Sequence, residues 1–541
     1  MSGFTGTSRL VRLALRRDRV RLAIWVLGTP LIGYALAESV AGLYPNKQTR
    51  LGYAETAVTS VVARAFNGPI AGTELGAVVV TETYLTLALL SALLSTFAVI
   101  RHTRQNEETG RAELLGASPV GRYALLTAAL VVVVGANVLA AGLLAAAFVG
   151  AGLPVAGSMA AAAAIGGVGV AFTGVAAVTA QLTVTSRGGN ALAAATVGVA
   201  FLLRAAGDVL GEREAGGVRL DSAWPTWLSP LGWGTQVRAF GGERWWALAL
   251  PVTLLVVGVA VAFALAERRD VGAGLLAARR GPARATAGLL SPVGLTWRLN
   301  RGALAGWAVA VAVLGLSMGV AGHEVDAMIA DNPQAAQAIA QLGGGSELVD
   351  AYLAAMLGLF ALTIGAYVVQ ALLRTRNDES DGVLEALLAT AVSRTRWLGT
   401  QVLGAVLGAL ALMLLAGVTT GLGYGLSVGE PIGWAAELGK AALVRMPALL
   451  VVAGVVAVLF GALPRWSIAL SWALLIVFLL LGQLGAVLDL PQAALNLSPY
   501  THVPSVPAAD LALLPLAALT AVAAALLLTG LVTFRRRDTP S

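Results

Sequence analysis

Residues 104–122 read RQNEETGRAELLGASPVGR, and residues 376–394 read RNDESDGVLEALLATAVSR. The two stretches align without a gap at an offset of 272 residues (104 to 376). Arg, Glu, Gly, Glu, Leu, Ala, Val and Arg recur in register. A repeat this long points to two structural units rather than one. Other pairs keep the same order on either side. Leu228-Ser229-Pro230 matches Leu497-Ser498-Pro499, and Arg268-Arg269-Asp270 matches Arg536-Arg537-Asp538. Arg16, Arg19 and Trp25 match Arg298, Arg301 and Trp307. The expected organisation is therefore a half over 1–270 and a second over 290–541. A Gly/Ala/Arg-rich linker, 271–289, joins them. Parallel repeats of this kind are related by an axis along the membrane normal.

Composition names the solvent. Of 541 residues 12% are charged and 57% hydrophobic, with a further 64 glycines; mean hydropathy is +0.80. Such a chain has too little polar surface to cover a soluble fold. That excludes an ordinary soluble enzyme, a disordered chain and a nucleic-acid-binding domain, despite the net charge of +7. There is no Cys, and His102, His323 and His502 stand singly, so no metal-ligand spacing exists. His323, Glu324 and Asp326 read as solvated loop groups. Lysine occurs only at Lys47 and Lys440. That Arg bias, with abundant Ala, Gly and Val, points to a high-GC bacterial source.

A spanning helix needs about 20 mostly apolar residues. That rule predicts spans at 22–42, 76–100, 123–150, 158–184, 190–210 and 246–266 in the first half. In the second it predicts 304–321, 349–373, 397–424, 445–463, 467–489 and 511–534. The expected fold is all-α and membrane-embedded, twelve helices in two six-helix halves of the same orientation. The first apolar run, Leu22–Ala41, has the length of a retained span rather than of a signal peptide. With the N-terminus inside, the first half's inner segments hold thirteen Arg against seven basic residues outside, Lys47 among them. The positive-inside rule then places both termini in the cytoplasm. Trp224, Trp227, Trp233, Trp245 and Trp246 gather at the opposite surface, as an aromatic belt does.

Each half opens with a basic amphipathic segment. Arg9, Arg12, Arg16 and Arg19 recur at spacings of three and four, with Leu10, Leu13 and Val20 away from that stripe. Such a segment suits an interfacial helix, its arginines among anionic headgroups; it also serves as a plain topology signal. In the repeated stretch, Thr109 or Asp381 can begin a short helix that carries Glu113 or Glu385, and Pro119 with Gly116 ends the first copy. Leu114, Leu115, Leu387 and Leu388 supply its apolar side and the acids an exposed one. Two such helices with the same acids and leucines suggest docking surfaces.

This pattern resembles the permease subunits of ATP-binding-cassette exporters of the drug and polysaccharide class. They carry an interfacial elbow helix, two spans, a cytosolic coupling helix with a Glu-rich stretch, and four more spans. Glu107, Glu108, Gly110, Glu113, Leu114, Leu115, Pro119 and Arg122 fall in the matching stretch, as do Glu379, Asp381, Gly382, Glu385, Leu387, Leu388 and Arg394. Ala391 stands where the first copy has Pro119, a departure in the second turn. A double-length chain rich in Ala and Gly is similar to the actinobacterial polyketide-antibiotic (tetronasin-type) exporter permeases. The chain itself has no phosphate-binding loop. The resemblance implies no cofactor here, with ATP and Mg in two copies of a separate cytosolic ATPase subunit. It also implies export of a hydrophobic drug or polyketide antibiotic across the plasma membrane by rocking of one half against the other.

Polar residues inside the spans are the remaining candidates. Glu82 and Arg204 lie at similar depth near the outer surface and either pair, line the path, or reach the headgroups. Neither has an ionisable counterpart in the second half, where Lys440 and Arg445 sit near the outer entrance of span ten. Gln181 and Gln483 suit packing hydrogen bonds first and substrate contact second. The rival reading is a proton-driven secondary transporter of the major-facilitator type, which shares the twelve-span, two-half plan and an acidic-Gly-Arg loop. A membrane-embedded enzyme would need clustered carboxylates or histidines at one face, and none is present.

Overall fold

The computed structural model describes residues 2–214, 218–276, 283–330, 345–484 and 491–538. The protein is an all-α membrane protein. Eleven helical segments among the described residues are long and apolar enough to cross a membrane. They correspond to eleven of the twelve predicted spans. The remaining one, 467–489, forms a helix whose described apolar stretch is shorter, Ser467–Gly482, and residues 485–490 lie outside the described residues. The chain divides into two compact units, Met1–Gly281 and Pro282–Ser541.

The first unit begins with α1 (Thr7–Arg17) and α2 (Arg19–Leu43), then two short helices, α3 (Lys47–Thr59) and α4 (Val61–Phe66). The long α5 (Leu75–His102) leads into α6 (Arg104–Glu108) and α7 (Arg111–Gly116). Helices α8 (Ala124–Gly150), α9 (Val155–Leu182) and α10 (Ser186–Val209) follow. A cap over 210–248 holds a two-residue ladder, β1 (Glu212–Arg213) antiparallel to β2 (Leu220–Asp221), and α11 (Pro230–Thr235). Helix α12 (Ala249–Glu267) ends the unit's bundle. Helices α5 and α9 form its centre, with Leu87, Ala88, Ala160, Ala161 and Phe172 fully buried.

Small residues explain the close packing. A Cβ on Gly258 would lie 2.8 Å from the Gly174 backbone, so α9 and α12 touch main chain to main chain. In lipid, with no hydrophobic drive between helices, such approach is what supplies contact energy. Asn137 on α8 donates to Ser95 Oγ on α5 at 2.8 Å, a polar link inside the bundle.

The second unit runs α13 (Pro292–Ala330), α14 (Gly345–Ser380), α15 (Val383–Leu388), α16 (Arg394–Val428), α17 (Pro431–Leu443), α18 (Met446–Ala462), α19 (Ser467–Leu484), α20 (Gln492–Leu495) and α21 (Leu513–Arg536). The predicted span 445–463 is α18, and α17 precedes it with a break at Val444–Arg445. Leu353, Ile364, Tyr367, Ala409 and Leu412 form the core around α14 and α16.

The two units differ at their start. In the first, Asp18 interrupts the helix between α1 and α2, and its carboxylate accepts two bonds of 2.9 Å from Arg101. In the second, the residue aligned with Asp18 is Asn300, and α13 passes through it as one 39-residue helix. The expected second elbow is thus continuous with its span. Asn300 brings no charge to the position where Asp18 meets Arg101. Instead Arg374 donates to the Leu299 carbonyl at 2.7 Å.

Candidate functional site: two short helices and their clasps

The short helices α7 and α15 begin alike. Gly110 and Gly382 precede them with φ of 71° and 73°, a left-handed conformation that costs an L side chain about 1–2 kcal/mol. The recurring glycine of the repeat is therefore a backbone requirement. It displaces Thr109 and Asp381 as the expected starts: each helix begins one residue after its glycine, and Thr109 instead donates to the Gln105 carbonyl at 2.8 Å. Gly116 is the last residue of α7, ahead of Pro119.

Behind each short helix lies the same ionic arrangement. In the first unit, Arg104 is fully buried and donates to Glu107 at 2.8 Å and to the Ala180 and Ala273 carbonyls. Glu107 also accepts a bidentate pair from Arg269, at 2.6 and 2.7 Å, and the Gly272 N–H at 3.1 Å. Arg269 and Glu107 are each 8% exposed. In the second unit, Arg376 donates to Glu379 at 3.0 Å, and Arg537 completes the triad on the other carboxylate oxygen. Arg537 also donates to the Phe460 carbonyl at 2.6 Å and lies over the Phe460 and Phe534 rings. The repeated Arg-x-x-Glu thus binds the second Arg of the repeated Arg-Arg-Asp. Charge-assisted bonds are the strong ones, and the Arg269–Glu107 pair is bidentate as well.

Arg122 and Arg394 extend the clasp. Arg122 donates to the Ala266 and Glu267 carbonyls at 2.7 and 2.9 Å, and Arg394 to the Arg537 carbonyl. Both satisfy carbonyls at the end of the unit's last helix, where a cation is favoured. Beside Arg122, the Tyr123 hydroxyl donates to the Glu267 carboxylate. Glu108 accepts the N–H and hydroxyl of Ser186 at 3.0 and 2.5 Å, at the first turn of α10. Gln181 is also part of this structure: it accepts from Arg269 Nε at 2.7 Å and donates to the Ala177 carbonyl. The side chain of Gln483 lies outside the described residues.

The predicted surface therefore divides. Glu107 and Glu379 face inward at the heart of the clasp, Arg394 is half-buried beside it, and Arg122 reaches it from an exposed position. Glu113, Glu385 and Asp381 stay exposed, and no ion pair engages them among the described residues. Leu114, expected on the apolar side, is 77% exposed, while Leu115 packs on Leu10, Ala124 and Ala128. In α15 the fully buried residue is Leu384, set against Trp397, Phe460 and Phe534, with Leu387 and Leu388 half-buried around it. Arg269 and Arg537 were visible in the sequence as a repeat, but not as partners of the Glu.

At the opposite end of the first unit, Glu82 and Arg204 do not pair. Arg204 is fully buried, 3.3 Å from Asp208, and donates to the Ala65 and Phe66 carbonyls. Glu82 accepts from Asn67 at 3.1 Å. Tyr53 lies beside it, and burial first, then that carboxylate, raises the phenol's pKa. Arg445, in the second unit, donates to the Ala354, Ala441 and Val506 carbonyls at 2.6, 3.1 and 3.3 Å.

Over 541 residues the chain is 40% identical to the multidrug efflux system permease protein Rv1217c of Mycobacterium tuberculosis (strain ATCC 25618 / H37Rv). The match covers 99% of this chain and 96% of the relative. The chain belongs to the multidrug efflux permease family. Residues 289–535 of the permease also match the family described as multidrug efflux system permease Rv1217c, C-terminal domain. That region takes in α15 and its clasp from Arg376 to Glu379, while α7 and its clasp lie in the part matched by the full-length relative alone.

Proposed function

We propose that the chain is the membrane-spanning subunit of an ATP-driven exporter in the bacterial plasma membrane. It moves a hydrophobic or amphipathic small molecule, a drug or polyketide antibiotic, out of the cell. Two copies of a separate ATPase subunit dock on α7 and α15, with Glu113 and Glu385 as the contact residues. The twelve helices act as two six-helix halves with both termini cytoplasmic, and α1 serves as the interfacial elbow. The observation that carries this reading is the repeated clasp. In each half it ties an exposed short helix to the end of the last long helix, so force on the short helix reaches the bundle. The full-length likeness to an efflux permease supports the same reading over a proton-driven one.

The test is co-purification with the ATPase, and drug efflux from proteoliposomes. Glu113→Ala with Glu385→Ala should abolish ATPase capture and ATP-dependent transport while leaving the thermal unfolding of the permease unchanged. Transport by this chain alone on a proton gradient, without ATP, would overturn the proposal.

A further inference from the structure

Between α1, the end of α5, α7 and the start of α8 lies a cavity of about 420 Å³. Its floor is apolar, formed by Leu10, Leu125, Ala128 and Ala129. Arg17 and Arg111 line its rim, and among the described residues no carboxylate lines it. Asp18, the carboxylate next to Arg17 in the chain, is already held by Arg101 at 2.9 Å and His102 at 3.1 Å. Arg17 is left with a neutral acceptor, Asn106 Oδ1, at 2.8 Å. Burial and then the charges of Arg111 and Arg101 lower its pKa, and Asp18 offsets them only in part.

Two leucines flank the arginines, Leu13 at 51% and Leu114 at 77% exposed. A soluble anion would have no use for them. An amphipathic one would place its charge on the guanidinium groups and its chain on the leucines. The second unit lacks the site. Its aligned residues are Leu299 for Arg17 and Val383 for Arg111, and Leu384 is buried where the first unit has the smaller Ala112.

We propose that this cavity binds an anionic phospholipid, with its phosphate on Arg17 and Arg111 and an acyl chain along Leu13, Leu114 and Leu125. The site couples the position of α7 to the lipid of one leaflet, in one half only.

The purified full-length chain in detergent would be titrated with dioctanoyl phosphatidylglycerol, dioctanoyl phosphatidylcholine and inorganic phosphate, with bound adducts read by native mass spectrometry. Phosphatidylglycerol should bind at least about tenfold more tightly than phosphatidylcholine. Arg17→Gln with Arg111→Gln should weaken it about 30-fold, equivalent to about 1 kcal/mol for each arginine. Arg9→Gln with Arg12→Gln, on the same helix but off the cavity, should change it less than about twofold. Leu114→Asp alters only an exposed side chain, so it provides a folding-neutral second test, and it should weaken phosphatidylglycerol but not phosphatidylcholine. Any of three results would overturn the proposal: equal binding of the two lipids or of inorganic phosphate, an equal loss from the Arg9/Arg12 variant, or no effect of Leu114→Asp.

Discussion

Glu82 on α5 and Arg204 on α10 hold the same turn from two sides. Arg204 donates to the carbonyls of Ala65 and Phe66, and Glu82 accepts from the side chain of the next residue, Asn67. The two charged side chains are thus joined through three residues of main chain. Asp208, one helical turn from Arg204, supplies the counter-charge.

Removing that counter-charge leaves a buried guanidinium unpaired. Asp208→Leu should destabilise the first unit by about 3–5 kcal/mol. Arg204→Leu with Asp208→Leu should cost less, about 1–2 kcal/mol, because hydrogen bonds to the turn and from Thr226 are lost but no buried charge is left unpaired. Thermal unfolding in detergent separates the two; a double variant worse than the single would refute the pairing.

The clasp predicts a division of labour between acids six residues apart. Glu107→Gln and Glu379→Gln should each lower stability by about 3 kcal/mol, since each removes the carboxylate from between two arginines. Glu113→Gln and Glu385→Gln should leave stability within about 0.5 kcal/mol, as exposed substitutions do. Denaturation curves for the four variants decide this.

The left-handed glycines can be tested without steric interference, because a Cβ on Gly110 or Gly382 meets nothing within 4 Å. Gly110→Ala and Gly382→Ala should each cost about 1 kcal/mol through backbone conformation alone. Asn at the same positions should recover part of that loss, since Asn enters this region more readily.

Glycines on helix faces should split by contact. Gly258→Leu must push α12 off Gly174 and should cost about 3 kcal/mol or more. Gly135→Ala in α8 meets nothing within 4 Å and should be tolerated, with a gain of up to about 1 kcal/mol in helix propensity. Proteolytic resistance of the two variants checks the contrast.

The spans were legible because a run of twenty apolar residues has few other homes, and the doubling was legible because Arg104–Arg122 is rewritten at Arg376–Arg394. Partnerships were not. Glu107 and Arg269 stand 162 residues apart, and spacing carries no information about a contact made by returning helices. Depth arithmetic brings Glu82 and Arg204 to one level, but the i, i+4 spacing of Arg204 and Asp208 is the better clue. The second elbow failed for a local reason. One amide, Asn300, stands where Asp18 has a charge for Arg101, and the helix continues.

Every bond of the first clasp is complete by Ala273, and every bond of the second begins at Arg376. The stretch 277–282 therefore separates two self-closed pieces of chain. A gene cut there would still encode both sets of clasp contacts, each on its own polypeptide. Fusing them fixes stoichiometry: each molecule carries one of each half, never two of the half with Arg17 and Arg111.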